Sequence, residues 1–494
     1  MLLLILEVNE KVCVVVKFLF MKEIKNYWLF VLFFIFISAC SENDTNPEDE
    51  INQKELTEEQ KENIAINNWT YEQMSLYYLW RDKLPAPEGL DATQTPSDLF
   101  DKLLYQGTEA NSKKDADKWS WMTDDYEALK KQFEGISKST GHSQVLSLVS
   151  EGSDQVIAIV TMVYPKSPAE KVGLKRGDII TKIDGKQINK SNYRELLGKD
   201  SYTASVSNMV NGQIVDSGKT VSLEAETDFV ENPIFMSKVI EESGKKIGYL
   251  VYNSFIDSYN DDLDQVFGAF REQGVTDLIL DLRYNPGGAT SAAKHLSGLI
   301  GPASLAGKVF YKSQYNTELQ KYLVETEGED YLNVRFGSHG NGLGLNSVWV
   351  LTTSGSASAS ELVINGLRPY MTVTTVGSNT HGKYAGSVTF QNKETGRTNW
   401  ALQPIILKLA NADGVTDYWN GFSPIVAVED DFFTELGDVN EGMLRAAIND
   451  ITGGSNVPAR KASSASIGKY FRFYNPALKP DQMGNQVELP ELSL

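Results

Sequence analysis

Apolar residues recur at helical spacing in the first folded region of the chain. Ile66, Trp69 and Trp80 fall near the 3.6-residue period that places side chains on one helix face. Pro85 should end this helix, because proline cannot donate the backbone hydrogen bond that a helix interior needs. The pattern therefore predicts a small N-terminal helical domain over residues 61–139.

Short apolar runs separated by glycine turns follow over residues 140–225. Gln155 to Val163 is a β-branched run typical of a strand. Ser167-Pro168-Ala169 predicts the start of a short helix, since proline is tolerated at the first helical position. Ile183-Asp184-Gly185 predicts a strand that ends in a tight turn. We expect a second domain of short strands with two helices.

Strand-like and helix-like stretches alternate over residues 226–450. Ile247 to Val251 and Leu278 to Leu282 are apolar runs of strand length. Between them, Leu263 to Phe270 carries an apolar stripe at helical spacing, and Gly274 follows as a stop signal. The repeated strand–helix–strand order predicts an α/β fold with a parallel sheet covered by helices.

Composition excludes several classes of function. The 494 residues carry a net charge of -19, which argues against a nucleic-acid partner. The two cysteines, Cys13 and Cys40, precede the folded regions, so no disulfide framework is expected. The four histidines are scattered without an HExxH spacing. The sequence therefore predicts no metal site and no cofactor.

The N-terminus has the features of a bacterial lipoprotein signal. A charged start at Met21 precedes the apolar run Tyr27 to Ile37, too short for a comfortable membrane span. The sequence that follows resembles a lipobox, which predicts a signal peptide over 21–40 and lipidation of Cys40. An uncleaved membrane anchor is the alternative.

Residues 41–60 are acidic and polar, which predicts a linker. An acidic stretch after the lipidated cysteine resembles the export signals of Bacteroidetes lipoproteins. The lipoprotein signal and the uncleaved anchor both place the rest of the chain outside the inner membrane. The lipoprotein signal predicts a cell-envelope protein attached to the membrane through Cys40, on the periplasmic or the surface face of the outer membrane.

A run of small residues, Ser356-Ala357-Ser358-Ala359-Ser360-Glu361, joins an apolar strand to a helix-like stretch. A serine at such a strand-to-helix turn resembles the serine of a nucleophile elbow, although the GxSxG motif of that elbow is absent. A serine needs a base, and Lys383 follows in Gly382-Lys383. A lysine can act only when neutral, so burial must lower its pKa. Serine–lysine pairs are a known variant of the catalytic triad.

Donors for an oxyanion hole are expected in a second segment. The sequence 281–288 reads DLRYNPGG, a strand that leads into a glycine turn. Free N–H groups of Gly287 and Gly288 could bind a tetrahedral intermediate, since glycine lets backbone approach closely. The N–H of Ala359 would supply another donor.

Together, DLRYNPGG, SASASE (356–361) and GK (382–383) resemble peptidase family S41, the C-terminal or tail-specific processing peptidases. Residues 167–180 resemble a bacterial PDZ domain, which would be inserted over 140–225 and bind a peptide by strand addition. The resemblance implies a protease core over 226–450 with the αββ-superhelix fold of ClpP and crotonases. It also implies Ser358 as nucleophile and Lys383 as base, in a serine endopeptidase acting on protein or peptide substrates.

The chain departs from the family pattern at three places. Ser387 stands where a glutamine that orients the lysine is expected, so Ser387 is a candidate for that role. Gly421-Phe422-Ser423-Pro424-Ile425 lacks the acid of a related motif. Gly141-His142-Ser143 stands where a PDZ carboxylate loop would have a hydrophobic residue after its glycine.

Alternatives remain for each of these assignments. Ser358 could be a helix cap, and Lys383 could be a surface lysine. The missing glutamine favours a catalytically silent peptide-binding scaffold as the rival function, and a hydrolase of small esters or glycans is a third possibility. Residues 451–494 are predicted to form a tail over the surface. The sequence gives no oligomeric state.

Overall fold

The structure is a computed structural model that describes residues 56–108, 115–150 and 152–454, with two short strands at 472–473 and 485–486. The predicted signal peptide (21–40), its lipidation site Cys40 and most of the predicted acidic linker lie outside the described residues. Within the described part, no helix combines the length and apolar character needed to cross a membrane.

The N-terminal region is mainly helical, as predicted. Its elements are α1 (Glu58–Tyr77), α2 (Pro96–Leu103), β1 (Trp121–Thr123) and α3 (Tyr126–Phe133). Helix α1 begins inside the predicted linker, because Thr57 and Gln60 form a reciprocal capping box. The helix also ends earlier than Pro85 suggested. The chain becomes extended at Tyr78, and the Leu79 N–H donates to the carbonyl of Ile405 in the core (2.8 Å).

A second region forms a sheet around its own apolar core. Its elements are β2 (Ile136–Ser139), β3 (His142–Leu148), β4 (Val156–Val163), α4 (Pro168–Lys171), β5 (Ile179–Ile183), β6 (Lys186–Gln187), α5 (Tyr193–Leu197), β7 (Ser201–Val210), β8 (Gln213–Glu224) and β9 (Glu226–Val230). Ser167 caps α4 through the N–H of Glu170 (3.1 Å), with Pro168 at the first helical position as predicted. β2 and β9 pair as an antiparallel stalk that connects this region to the rest of the chain.

The third region alternates strands and helices. Its elements are β10 (Ile234–Glu242), β11 (Lys245–Tyr252), α6 (Asn260–Glu272), β12 (Asp277–Asp281), α7 (Thr290–Ile300), β13 (Val309–Tyr315), α8 (Thr317–Glu327), β14 (Asn333–Arg335), β15 (Ser347–Thr352), α9 (Ala359–Leu367), β16 (Thr372–Gly377), β17 (Ala385–Ser387), β18 (Phe390–Gln391), β19 (Ala401–Gln403), β20 (Ile405–Ala410), β21 (Val426–Ala427) and α10 (Gly442–Thr452).

The central sheet has the order β10-β11-β12-β15-β16-β21 and is parallel from β11 to β21. The parallel sheet predicted from the strand–helix alternation is therefore present. Because the carboxyl ends of parallel strands meet at one edge, the segments after β12, β15 and β16 lie together. Those segments carry Gly287 and Gly288, then Ser358, then Lys383.

Two short strands in the predicted tail add to two different sheet edges. β22 (Arg472–Phe473) pairs antiparallel with β3, and β23 (Asn485–Gln486) pairs parallel with β17. In the described part of the chain, β3 and β17 are each the last strand of their sheet before the tail strand is added. The tail begins only after α10, which continues to Thr452.

Candidate active site

Ser358 lies in a strained turn between β15 and α9. Its backbone has φ 60° and ψ −112°, a conformation that residues other than glycine rarely adopt. The residue is also fully buried. Strained positions of this kind are concentrated at functional sites. Ser358 stands at the N-cap position of α9 and forms a capping box with Glu361, although its backbone angles are not the extended ones typical of an N-cap.

Lys383 is also buried, with 1% of its surface exposed, so it is not a surface lysine. It follows Gly382, whose φ of 100° suits glycine alone. A Cβ at position 382 would lie 2.4 Å from the carbonyl oxygen of Trp419. The chain segment at 419–421 therefore packs directly against the turn that positions the lysine.

Glu361 joins the serine turn to the lysine turn. Its Oε2 accepts the backbone N–H of Ser358 (2.9 Å) and that of Lys383 (2.8 Å). Its Oε1 accepts the Thr380 hydroxyl and the Gly382 N–H, both at 2.6 Å. Nothing in the local sequence pattern around Glu361 indicates that its side chain spans two segments.

Two opposing effects determine the pKa of the Glu361 carboxyl. Burial raises the pKa of its carboxyl to about 7, because a charged group is poorly solvated inside the protein. The four hydrogen bonds act in the opposite direction, since each donor favours the ionised form. The observed arrangement, with four donors and no acceptor, is the one expected around a carboxylate.

Gly287 lies directly against the candidate nucleophile. A Cβ there would be 2.7 Å from the Ser358 Cβ and 3.0 Å from the Ala359 nitrogen. Only glycine fits, because φ is 114° at Gly287 and 138° at Gly288. The Gly287 N–H donates to the Asn285 side chain (2.8 Å). Within the described part of the chain, the N–H groups of Gly288 and Ala359 donate to no protein acceptor.

Two further serines of the small-residue run fasten it to the glycine segment. Ser356 Oγ donates to the carbonyl of Leu282 (2.7 Å), and Ser360 Oγ donates to the carbonyl of Asn285 (2.9 Å). The Ala357 N–H also donates to that Asn285 carbonyl (3.1 Å). These serines therefore support the turn rather than take part as nucleophiles.

Arg283 anchors the segment 281–288, which carries Gly287 and Gly288, through a set of buried ion pairs. Its guanidinium contacts Asp281, Asp430 and Glu441 at about 3.0 Å, and 1% of its side chain is exposed. Burial alone would lower the pKa of Arg283, but the surrounding carboxylates raise it well above its usual range. We refer to Arg176, Asp281, Arg283, Asp430 and Glu441 as the arginine network.

The arginine network reaches into the second region through Arg176, in the turn before β5. Arg176 donates to the carbonyl of Thr161 (2.6 Å) within that region. It also donates to the hydroxyl of Tyr284 (2.9 Å) and to the carbonyl of Asp431 (2.8 Å) in the third region. One side chain therefore connects the second region to the segment that carries Gly287.

Ser387 is buried in β17, four residues after Lys383. Its proposed role in orienting the lysine stays a prediction. The segment at 421–425, which lacks the expected acid, packs on the lysine turn: the Phe422 N–H donates to Thr380 Oγ1 (2.6 Å). His381, also close in sequence, is partly exposed, and its N–H donates to the Ser356 carbonyl (3.0 Å).

Sequence models of three protein families match the three regions. The Peptidase S41 N-terminal domain matches residues 65–121, and the PDZ domain matches 159–200. Residues 246–416 match peptidase family S41. The resemblance drawn from the serine, glycine and lysine motifs is thereby confirmed, as is the fold class of an S41 core with a PDZ domain and an N-terminal helical domain.

Individual proteins agree with the family assignment. A CtpA-like serine protease of Staphylococcus aureus strain N315 is 24% identical over 340 residues, which cover 68% of this chain and 62% of that protein. Its counterpart in Staphylococcus haemolyticus is 26% identical over 274 residues, covering 54% of this chain and 49% of the relative. The matched part thus spans less than two thirds of these relatives.

A solved S41 protease structure from Bacteroides fragilis has a TM-score of 0.62 to this chain at 27% identity, covering 78% of this chain and 97% of its own. The domain boundaries predicted from sequence, and the roles predicted for single residues, are not tested by these similarities and stay predictions.

Proposed function

We propose that this protein is a serine endopeptidase of the C-terminal processing type, with Ser358 as nucleophile and Lys383 as general base. The observation that carries the proposal is that one oxygen of Glu361 binds the backbone N–H of both residues. The turn that carries Ser358 and the turn that carries Lys383 are thereby both bound to the Glu361 carboxylate. Positioning of this kind can supply a large part of a catalytic rate enhancement.

The reaction follows from the surroundings of Ser358. Its Oγ attacks the substrate carbonyl carbon while its proton passes to Lys383 Nζ, which then delivers the proton to the departing amine. The N–H groups of Gly288 and Ala359 bind the oxyanion, and Gly287 allows the close approach. Water then attacks the acyl-enzyme ester, and the same lysine takes and returns a proton.

Substrates are recognised as extended segments that add to sheet edges. β3 of the PDZ domain and β17, two residues after Lys383, both accept a strand from the chain's own tail. Strand addition to an exposed edge supplies main-chain hydrogen bonds and is the binding mode of PDZ domains. The tail therefore marks the two edges where a polypeptide substrate binds.

The dyad is tested with Ser358→Ala and Lys383→Ala in the purified protein, using a loosely folded protein substrate. Each variant should reduce kcat by about 10⁴-fold or more, as removal of a nucleophile or its base does in other serine hydrolases. Ser354→Ala and Lys393→Ala are matched controls at exposed positions and should retain activity. Cleavage at the parental rate by either dyad variant would rule out the assignment.

A fluorophosphonate distinguishes the peptidase from the silent scaffold. The peptidase should form an adduct at Ser358 that mass spectrometry can locate. Absence of the adduct together with tight binding of peptides would favour the scaffold instead. Hydrolysis of a small ester without any cleavage of protein substrates would favour the third possibility.

Occupation of both edges by the tail predicts competition with substrate. A chain truncated after Gly454 lacks β22 and β23, and its KM for a peptide substrate should be several-fold lower than that of the parent. An unchanged or higher KM, in a truncated protein that unfolds with the parental free energy, would contradict this mode of substrate binding.

The location in the cell envelope is a further part of the proposal and rests on the sequence alone. Cys40 is the predicted lipidation site, so Cys40→Ser should prevent incorporation of labelled palmitate and release the protein from the membrane fraction. Continued membrane attachment of that variant would favour the uncleaved anchor.

A further inference from the structure

Three side chains with metal-binding atoms meet outside the candidate active site. Asp264 lies on α6, His295 on α7, and His339 in the segment between β14 and β15. One ligand atom from each residue lies within 4.8 Å of the others. We propose that these residues form a site for Zn²⁺ or a similar divalent transition metal. We refer to them as the His–Asp cluster.

His295 and His339 are far apart in the sequence. Only the packing of α6, α7 and the 337–346 segment brings them together. Their rings lie 4.5 Å apart between centroids and are nearly perpendicular. His295 Nε2 is 3.3 Å from Asp264 Oδ2. It nevertheless forms no hydrogen bond within the described part of the chain, although the atom is buried. The His295 nitrogen and the Asp264 oxygen are close but not aligned for a hydrogen bond, so both can instead coordinate one metal ion.

Glycine makes room for the cluster. Gly298 follows His295 by about one helical turn, and a Cβ there would lie 2.3 Å from His339 Cδ2 and 2.5 Å from its Nε2. The segment that carries His339 is also fastened to α6. Asn341 donates to the Asp264 carbonyl (3.2 Å), and Arg271 donates to the Gly340 carbonyl. The ligands are thus held close together before any metal binds.

The donor set selects the class of metal. Two imidazoles and one carboxylate suit Zn²⁺ and related ions, with a fourth position left for water. All three side chains are partly exposed, although the Nε2 atom of His295 is itself buried. Tetrahedral zinc ligands at ~2.1 Å from the metal lie ~3.4 Å apart, so small side-chain rotations would complete the site. Lys294 is one nearby positive charge that opposes binding.

The position of the cluster links it to the two turns of the candidate active site. α7 begins directly after the Gly287–Gly288 turn, and the segment that carries His339 leads into β15, which ends before Ser358. A metal bound here would fix α7 relative to that segment. The site itself does not depend on the proposed peptidase activity, because metal binding can be measured directly.

The test measures binding of Zn²⁺ by calorimetry, and of Co²⁺ by its visible absorption, to the untagged full chain after chelation. Ser358→Ala is used as the parent to prevent self-cleavage. The parent should bind one ion, and Zn²⁺ should raise its Tm. His339→Ala and Asp264→Asn should each weaken binding by more than the ~10–100-fold typical of residues that only support a ligand.

Two further variants separate the cluster from adventitious binding. Asp262→Asn removes an exposed carboxylate of the same helix and should bind Zn²⁺ like the parent. Gly298→Ala should displace His339 and weaken binding without removing a ligand. The proposal is overturned if the parent binds no ion, or if His339→Ala and Asp264→Asn bind Zn²⁺ as tightly as the parent while unfolding normally without metal.

Discussion

Two buried groups hold the candidate active site, and they do so in different ways. Glu361 binds four neutral donors and faces no cation in its hydrogen bonds. Arg283 instead sits among three carboxylates within the arginine network. Glu361 joins the serine and lysine turns to each other, whereas Arg283 holds the glycine segment and reaches the PDZ domain through its neighbours.

The difference determines how each group responds to change. Burial raises the pKa of the Glu361 carboxyl to about 7, within the physiological range, although its four neutral donors act in the opposite direction. A buried cation among carboxylates stays charged at any ordinary pH, because its pKa is raised well above its usual range. We refer to Glu361 and the two turns that it joins as the serine–lysine junction. We expect the hydrogen bonds of this junction to depend on pH, and the stability of the arginine network to depend mainly on whether each partner is present.

The largest effect is expected from Arg283→Met. Removing the cation leaves Asp281, Asp430 and Glu441 close together without compensation. The free energy of unfolding should fall by about 3–5 kcal/mol, measured by urea denaturation in the Ser358→Ala background. Lys131→Met, which breaks an exposed pair with Asp228, should change it very little, because water screens an exposed ion pair. Equal effects of the two substitutions would refute the distinction.

A smaller effect, mainly on activity, is expected from Glu361→Gln. The amide group would present N–H donors to backbone N–H donors and lose hydrogen bonds of about 1.5–3 kcal/mol each. Losing one such bond from the junction should lower kcat by about 10- to 100-fold, with little change in KM. Parental kcat in this variant would show that Glu361 does not position the two turns.

The smallest effect concerns pH. Because the pKa of Glu361 is raised in the folded state, its contribution to stability is present below its ordinary value near 4.5 and is lost as the pH rises towards 7. Activity should change in the opposite direction, since the four donors require the ionised form. kcat/KM should therefore rise through about pH 7.

Glu361→Gln separates this ionisation from that of the lysine. The variant should lose both the rise in kcat/KM near pH 7 and the pH dependence of unfolding between about 4.5 and 7. A pH profile with the parental midpoint in the variant would assign the rise to another group.

Much of the fold was predictable from the sequence because its signals are local. Ser167-Pro168 did begin a helix, and the apolar runs before Asp281 and before Thr353 did form parallel strands. The end of α1 was predicted wrongly at Pro85, since a tertiary hydrogen bond from Leu79 to Ile405 extends the chain earlier. No local pattern could indicate a partner in another domain.

The sequence by itself determined the identity of the motifs, the three regions and the candidate residues Ser358 and Lys383. Those depend on spacing along the chain and on the conformations that glycine, proline and serine permit. Only the tertiary structure showed that Glu361 joins the two turns, that Arg176 connects the PDZ domain to the core, and that His295 meets His339. Such contacts form between segments far apart in sequence, and they exist only once the sheet has brought its strand ends and helices together.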